Sequence, residues 1–296
     1  MILSVGNHEY FGGAGPGPAG AVDLQAWTDQ APHWIARARR TAAMTAPATR
    51  ALLERLAPRT GERVLDVAAG CGDPALAIAA LVGPTGAVTA TDAVPEMLVA
   101  LDDAARSAGL RNVTTLRTTA EALDVAPASF DAACCRFGVM FFADPLAALT
   151  NFRRAVRPDG RLVVMAWGAP AANPYFGAAM EALDAAGAPP LQAPPGLKTV
   201  FEFSEPGRLA GLAGRAGWQQ VREEEVPFTM DLPDTPPEGA LEALAQLSTK
   251  VQARLEGLDA ALRERARAAV AERVRPYARD GALRFPAVAL LVSGRA

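Results

Sequence analysis

One short segment constrains the fold of this chain more than any other: an apolar run containing an acid, followed by a loop of small residues. The run at 64–67 includes Asp66, and the loop reads Ala-Ala-Gly-Cys-Gly up to Gly72. A strand, a small-residue turn and a helix start in this order allow backbone N–H groups to approach a nucleotide-like ligand closely. Asp92 ends a second apolar run twenty residues after Gly72, where a carboxylate can accept hydrogen bonds from ribose hydroxyls. The segment therefore predicts a nucleotide-type cofactor site.

The glycines alone do not identify that cofactor. Gly70-x-Gly72-x-x-Ala75 satisfies the loose G-x-G-x-x-G/A fingerprint of dinucleotide-binding folds. Asp66 discriminates between the two kinds of ligand, because a carboxylate at the strand end would repel a bound diphosphate. The residues therefore favour a cationic ligand.

Strand and helix signals alternate from this segment to residue 167. Apolar runs predict strands near 63–68, 86–91, 113–118, 130–136 and 160–167, with helices near 74–82, 95–108 and 143–156. This alternation predicts an α/β fold with a doubly wound, mostly parallel sheet. Since the carboxyl ends of such strands share one edge, we expect Gly70, Asp92, Thr119 and Arg136 to lie there.

Helical segments are predicted on both sides of this core. Two or three helices are expected between about Leu24 and Leu56, with Pro32 and Pro47 as breaks. Beyond residue 167, helices are expected near 174–186 and 206–216, a strand near 218–229, a helical block at 238–278 and a strand near 286–293. The predicted divisions are a mobile tail at 1–20, a helical cap at 21–57, a core at 58–167, a substrate-covering segment at 168–205, a core continuation at 206–229, a helical insertion at 230–283 and a last strand at 284–296.

Composition limits the classes of partner. Half of the 296 residues are hydrophobic and 21% are charged, which is typical of a soluble enzyme with a substantial core. The net charge of −3 argues against a nucleic-acid partner or an anionic membrane surface. No leader pattern and no eighteen-residue apolar span is found. We expect a cytoplasmic protein without stable membrane insertion, and the oligomeric state stays open, with a homodimer as one option.

Cysteine and arginine clusters are given structural interpretations. Cys71, Cys134 and Cys135 lack metal-ligand spacing and nearby histidines, so small buried side chains are favoured and no metal is expected. The one dense basic cluster spans residues 37–40 and reads Arg-Ala-Arg-Arg. For this cluster a solvated helix face is favoured over an anion site.

Residues 60 to 170 resemble the class I S-adenosylmethionine-dependent methyltransferases. The first motif of that family, acid-x-Gly-x-Gly-x-Gly, reads here Asp66-x-Ala68-x-Gly70-x-Gly72, and the resemblance is closest to the ubiquinone/menaquinone-biosynthesis-like branch. The segments that carry it, in order, are 64–80, 91–98, 120–123, 129–131, 135–142, 144–145 and 157–162. The resemblance implies a seven-stranded sheet ending in an antiparallel hairpin that is interrupted by the 230–283 insertion. It also implies S-adenosylmethionine as cofactor and methyl transfer to a small molecule.

The resemblance implies particular roles for the residues at this edge. Asp66 and the backbone from Gly70 to Gly72 would hold the methionine end, Asp92 the ribose and Met97 the adenine. Thr119 stands where the family usually has an Asp that receives the adenine amino group. The other candidates for cofactor contact are Ala68, Cys71, Ala93, Ala120, Glu121, Arg136 and Phe137.

The segments expected to cover the cofactor resemble nothing specific, so aromatic residues guide the substrate prediction. The candidates for an apolar substrate pocket are Trp34, Met140, Phe141, Trp167 and Tyr175. They favour a small, largely apolar or aromatic metabolite that is methylated on oxygen or carbon. His33 is the candidate catalytic base, because its ordinary pKa lies near neutrality. A histidine on a helix surface is the favoured alternative for that residue.

Two other functions stay open. A nicotinamide-dependent oxidoreductase is disfavoured by Asp66 and by the lack of a Tyr-x-x-x-Lys pair. A protein that binds S-adenosylmethionine without methylating is consistent with Thr119, because a hydroxyl brings no charge to strengthen the hydrogen bond to adenine.

Overall fold

Strands and helices alternate through most of the chain, of which the computed structural model describes residues 24–191 and 199–296. The strands are β1 Arg63–Val67, β2 Ala87–Asp92, β3 Val113–Arg117, β4 Phe130–Arg136, β5 Val156–Trp167, β6 Gln219–Leu232, β7 Ala278–Arg279 and β8 Ala282–Arg295. The helices are α1 Leu24–Leu56, α2 Ala75–Val82, α3 Pro95–Ser107, α4 Pro145–Ala155, α5 Tyr175–Ala185, α6 Arg208–Arg215, α7 Ala240–Leu247, α8 Thr249–Leu255 and α9 Ala260–Val274. The tail predicted at 1–20 lies outside the described residues.

The strands form one twisted sheet in the order β3-β2-β1-β4-β5-β8-β6, with the two-residue β7 paired to β8. The first five strands are parallel, and β8 runs antiparallel between β5 and β6. Helices α7, α8 and α9 lie in the chain between β6 and β8. The predicted mostly parallel α/β sheet and its final antiparallel hairpin are therefore confirmed.

The central strand β1 is buried on both sides of the sheet, which is why its sequence is apolar almost throughout. Leu65 and Val67 belong to the larger core layer, and Val64 belongs to the opposite layer with α2 and the end of α1. The neighbouring Cys134 and Cys135 on β4 divide between these layers and are both fully buried. Alternation along the strands thus builds two cores, one on each face of the sheet.

Helix α1 is continuous over 33 residues, with Pro32 and Pro47 inside it. The prediction of two or three helices broken at these prolines was therefore wrong. An interior proline removes one backbone hydrogen bond and costs about 3 kcal/mol in an isolated helix. Here α1 buries a long stripe of side chains, including Ala31 and Leu52, which have no exposed surface. Burial of that stripe outweighs the local cost.

A buried ion pair fixes the end of α1 to the sheet. The Arg161 guanidinium on β5 pairs with the carboxylate of Glu62, and its Nε donates to the carbonyl oxygen of Leu56 at 2.7 Å. Arg161 thus satisfies an orphan carbonyl at the helix end. None of the helices in the described ranges, α1 included, combines the length and hydropathy that crossing a bilayer requires.

Candidate functional site

Four strand ends meet at one edge of the sheet and carry the predicted cofactor residues. The loop after β1 spans 68–74, β2 ends at Asp92, the chain after β3 reaches Thr119, and β4 ends at Arg136. These four strands are parallel neighbours, so their carboxyl ends lie side by side. The structure therefore brings together the residues that the sequence placed on one edge.

Asp92 fastens the glycine loop to the end of β2. One of its carboxylate oxygens, Oδ2, accepts a hydrogen bond from the Gly70 N–H at 2.9 Å, and Oδ1 accepts from the Val94 N–H at 3.0 Å. Burial raises the pKa of Asp92, and hydrogen bonds from Val94, Gly70 and Ala93 oppose that rise. Each carboxylate oxygen has a second lone pair. Asp92 can therefore hold the loop and also accept hydrogen bonds from ligand hydroxyls.

The two glycines of the loop serve different purposes. Gly70 has φ +53°, and a Cβ built on it would meet no atom within 4 Å. Gly72 has φ +108°, and its Cβ would lie 3.0 Å from the Leu76 side chain. Gly72 therefore permits close packing of the loop on α2, whereas Gly70 turns bare backbone toward open space. Of the two glycines in this loop, Gly70 is therefore the one whose backbone a ligand can approach closely.

Ala68 occupies a left-handed backbone conformation, with φ +56°, at the position where the family motif has glycine. This conformation costs an L-residue about 1–2 kcal/mol, while glycine loses about 0.5–1 kcal/mol more conformational entropy on folding than alanine. We expect Ala68→Gly to stabilise the protein by up to about 1 kcal/mol. Urea unfolding will measure this as a raised midpoint at unchanged slope.

The control for this variant is Ala268→Gly, on an exposed position inside α9. That change should destabilise the protein by about 1 kcal/mol, because glycine is a poor helix former. If both variants lower the urea midpoint equally, Ala68 carries no backbone strain.

Asp66 is fully buried beside the start of α2. Its Oδ1 accepts a weak hydrogen bond from the Cys134 thiol at 3.4 Å, while Oδ2 is inaccessible and has no hydrogen-bond partner. Burial, with a smaller contribution from the Asp73 charge, raises the pKa of Asp66 to about 7, although the Cys134 thiol, the positive charge of Arg136 and the Ala75 backbone N–H oppose that rise. A buried oxygen that lacks a donor is an acceptor for a cationic group.

Arg136, a predicted cofactor contact, donates instead to the protein. Its guanidinium lies 3.0 Å from Asp73 Oδ2, and its NH1 donates to Thr45 Oγ1 on α1 at 2.8 Å. Thr49, one turn further along α1, donates to the same Asp73 carboxylate at 3.1 Å. Arg136 is thus a positioning residue that joins β4, the glycine loop and α1. The sequence reasoning missed Thr45, Thr49 and Asp73, whose only signal was the spacing of two threonines on one helix face.

The predicted adenine region is packed against the first turns of α1. Met97 is buried, and its sulfur lies 3.5 Å from the thiol of Cys71. Trp27 and Trp34 of α1 pack on the same small apolar cluster. The amino-terminal half of α1 therefore covers this part of the edge.

Thr119 and Glu121 brace the turn after β3. The Thr119 hydroxyl accepts a hydrogen bond from the Ala122 N–H at 3.2 Å, and the Glu121 carboxylate accepts from the Asp144 N–H at 3.2 Å. The backbone of Ala120, which is buried, is held through its carbonyl oxygen by the Asn151 amide at 3.2 Å. The Thr119 hydroxyl keeps its own proton and a second lone pair.

Aromatic side chains line the neighbouring part of the edge. Phe137, at φ +56°, stacks on Trp167 with ring centroids 4.1 Å apart, and Trp27 meets Phe141 edge to face at 4.9 Å. Met140 and Trp167 are buried in the core, whereas Phe141 and Tyr175 remain partly exposed. Of the five predicted pocket residues, Trp34, Phe141 and Tyr175 are therefore the ones with side chains still open to solvent in part.

The structure does not bring His33, the candidate base, to the site. His33 is exposed on α1, about 100° around the helix from Trp34. The face that packs on the predicted adenine region carries Trp27, Ala31 and Trp34 instead. The assignment of His33 as catalytic base is thus not supported by its position.

Arg37 corrects the interpretation of residues 37–40 as a solvated helix face. Its guanidinium carbon lies 4.0 Å from the centroid of the Trp34 ring, and NH1 donates to the carbonyl oxygen of Leu247 at the end of α7 at 2.6 Å. Burial lowers the pKa of Arg37. Only Arg39 of the three arginines is exposed. Sequence periodicity could not reveal the burial of Arg37, because the contacting helix α7 lies more than 200 residues away in the sequence.

The strand order, the antiparallel final hairpin and the site at the carboxyl edge of the sheet define a class I methyltransferase fold. Residues 49–184 match the model of the ubiE/COQ5 methyltransferase family, which confirms the resemblance found in the sequence. The chain is also 38% identical over 120 residues to the ubiquinone/menaquinone biosynthesis C-methyltransferase UbiE of Bdellovibrio bacteriovorus, covering 40% of this chain and 50% of that protein. The matched segment thus spans about half the length of such relatives.

Solved structures support the same fold over a longer part of the chain. Phosphoethanolamine N-methyltransferase 2 of Haemonchus contortus, solved with S-adenosyl-L-methionine, gives a TM-score of 0.54 at 16% identity, over 94% of this chain and 61% of that one. The cyclase SpnF gives a TM-score of 0.50 at 20% identity, over 97% of this chain and 86% of that one. These structures therefore confirm the predicted fold over most of the chain, and the likeness to the ubiE/COQ5 methyltransferase family covers residues 49–184.

Proposed function

We propose that this chain binds S-adenosylmethionine at the carboxyl edge of the sheet and transfers its methyl group to an oxygen or carbon of a small, largely apolar or aromatic metabolite. The observation that carries the proposal is the pairing of Gly70 with Asp92. Bare backbone faces open space at Gly70, and the partly buried carboxylate of Asp92, which can accept further hydrogen bonds, lies 2.9 Å from the Gly70 nitrogen.

The residues at this edge fit an aminoacyl nucleoside with a positive charge. Asp92 offers acceptors to ribose hydroxyls, and Oδ2 of Asp66 is a buried oxygen without a donor. The nearby guanidinium of Arg136 is engaged by Asp73 and Thr45, so it is not free to neutralise a diphosphate. When bound, S-adenosylmethionine supplies a methyl group on a positively charged sulfur. The donor and acceptor set therefore favours it over NAD.

The protein's contribution to methyl transfer is to bind, align and exclude water. An in-line displacement needs a fixed nucleophile more than it needs a catalytic side chain. The turns of α1 around Trp27 and the ring of Phe141 close over the edge as an apolar wall. Such a wall suits an apolar or aromatic acceptor and keeps competing water away.

Calorimetry and a transfer assay test the proposal together. S-adenosylmethionine and S-adenosylhomocysteine should bind the purified protein saturably, and NAD should not. Incubation with methyl-labelled S-adenosylmethionine and a mixed metabolite extract should transfer label to a small molecule. Binding of NAD alone would favour the oxidoreductase.

A second candidate is a protein that binds S-adenosylmethionine without methylating. The cyclase SpnF, whose structure aligns with 97% of this chain, supports that candidate, because that protein is named for a cyclisation and not for methyl transfer. Saturable binding of S-adenosylmethionine without any transfer of label would favour it.

Asp92→Asn is expected to weaken S-adenosylmethionine binding by roughly 1–3 kcal/mol, because a neutral amide cannot make the charge-assisted hydrogen bonds of a carboxylate. Calorimetric titration measures the change. Asp103→Asn, on an exposed residue of α3 paired with Arg106, is the control and should bind normally. If both variants bind S-adenosylmethionine with equal affinity, Asp92 does not contact the cofactor.

A further inference from the structure

Two buried donors without acceptors lie one turn apart on α1. The indole Nε1 of Trp34 and the Nε of Arg37 are both closed from solvent, and neither has a hydrogen-bond partner. The two side chains are stacked, with the Arg37 guanidinium carbon 4.0 Å from the Trp34 ring centroid. Buried donors are almost always satisfied in native proteins, so an unpaired pair at one place requires an explanation.

Arg37 also lacks a counter-charge. Its NH1 donates to a neutral carbonyl oxygen, that of Leu247, and no ion pair among the described residues includes it. Arg37 is partly buried, and a cation that is partly removed from solvent gains from an anionic partner. An anionic ligand would supply the charge partner that the described residues do not give this guanidinium.

The location of these donors connects them to the proposed cofactor edge. Trp34 packs in the same cluster as Met97 and Cys71. On the other side, Arg37 interacts electrostatically with Tyr175, the first residue of α5, whose pKa burial raises to about 12. The phenol of Tyr175 is thus protonated near neutral pH and is a further possible donor. Elements α1, α5 and α7 meet around these side chains.

We propose that Trp34 and Arg37 form a subsite for one anionic oxygen of the methyl acceptor. A carboxylate, phenolate or enolate oxygen would accept from the Trp34 N–H and the Arg37 Nε–H, and the rest of the substrate would lie against the aromatic wall near Trp27 and Phe141. This inference rests on the proposed function, because it concerns the molecule that receives the methyl group. The subsite narrows the class of methyl acceptor to apolar or aromatic molecules that carry one anionic oxygen.

Access to the subsite requires movement of α1. Both donor atoms are shut from solvent, so an acceptor reaches them only when the first turns of α1 separate from Met97 and Leu247. Those turns pack on a small apolar cluster with Met97, whereas the later part of α1 is fixed to the sheet through Leu52, Leu56 and Arg161. The amino-terminal half of α1 can therefore serve as a cover for the acceptor.

The test compares two probes of equal shape and different charge, benzoate and benzamide, by calorimetry on the protein saturated with S-adenosylhomocysteine. Benzoate should bind at least about 10-fold more tightly than benzamide, because only benzoate forms charge-assisted hydrogen bonds with the guanidinium. Arg37→Gln should abolish that preference. Trp34→Phe, which keeps an aromatic ring and removes the N–H, should lower the affinity for benzoate about 3-fold to 10-fold.

Arg39→Gln is the matched control, since Arg39 is exposed on the same helix, and it should keep the wild-type preference for benzoate. Equal binding of both probes to the wild type, no saturable benzoate binding, or an unchanged preference for benzoate in Arg37→Gln would overturn the subsite, and unchanged benzoate affinity in Trp34→Phe would remove Trp34 from it. Titration with S-adenosylhomocysteine alone distinguishes failure of the subsite from failure of the proposed function. If that ligand fails to bind the wild type, the proposed function fails; if it binds while the benzoate preference is absent, only the subsite fails.

Discussion

Replacing Asp66 by Asn is expected to stabilise the unliganded protein above pH 7 by at most about 4 kcal/mol while leaving it unchanged near pH 4. The reason is the burial of this carboxyl group, which has no exposed surface and one oxygen without a donor. Ionising such a group in the folded protein is costly, and Asn has no proton to lose. The variant should also bind S-adenosylmethionine less tightly, because it lacks the negative charge.

The sign of this stability change follows from the protonation of Asp66 in the folded and unfolded states. In the unfolded chain Asp66 titrates near 3.8, and in the folded protein burial raises its pKa to about 7. Between those values the folded state keeps a proton that the unfolded state has released, so the wild type loses stability as the pH rises. Urea unfolding at about pH 5 and at about pH 8 should therefore show a larger advantage of Asp66→Asn at the higher pH.

Asp131→Asn is the control for this pH dependence. Burial alone would raise the pKa of Asp131, but the Arg63 N–H at 2.7 Å and the Arg157 guanidinium at 2.6 Å lower it overall. Its titration lies below 3.8, so Asp131→Asn should destabilise the protein equally at both pH values. If Asp66→Asn behaves in the same way, then Asp66 is ionised throughout and the burial argument is wrong.

The core of the fold could be predicted because its strands are short apolar runs separated by turn residues. The central strands β1 and β4 are almost wholly buried between the two core layers, so local composition is enough to reveal them. The edge position of Asp92 and Gly70 follows from strand order alone, since parallel strands place their ends together. The final antiparallel hairpin was predicted from the family resemblance. Local sequence patterns do not distinguish a helical block inserted between two paired strands from a separate helical domain.

The contacts between distant segments could not be predicted in this way. The role of Arg136 depends on Thr45 and Asp73, which periodicity does not connect. The burial of Arg37 depends on α7, and the continuity of α1 through Pro32 depends on tertiary packing that overrides a local preference. The residues proposed to contact the methyl acceptor lie in these same segments, which is why the sequence predicted the proposed cofactor edge in more detail than the acceptor side.

Gly70→Val is expected to weaken S-adenosylmethionine binding by more than about 100-fold, or about 2.7 kcal/mol. Two effects act together. The residue has φ +53°, a conformation that costs a β-branched residue at least about 1–2 kcal/mol. The new side chain would also project into open space where no atom lies within 4 Å, which is the space the proposal gives to the cofactor. Calorimetry measures the binding, and urea unfolding measures the strain.

Gly109→Val separates these two effects. Gly109 also has a positive φ, +71°, and its Cβ would likewise meet nothing within 4 Å, but it follows the far end of α3, away from the edge where that helix begins. Both variants should lose similar stability because they share the backbone strain. Only Gly70→Val should lose S-adenosylmethionine binding, because only its side chain enters the crevice beside Asp92. Normal binding by a folded Gly70→Val protein would mean that the cofactor does not approach this loop, and the assignment of the edge would have to be abandoned.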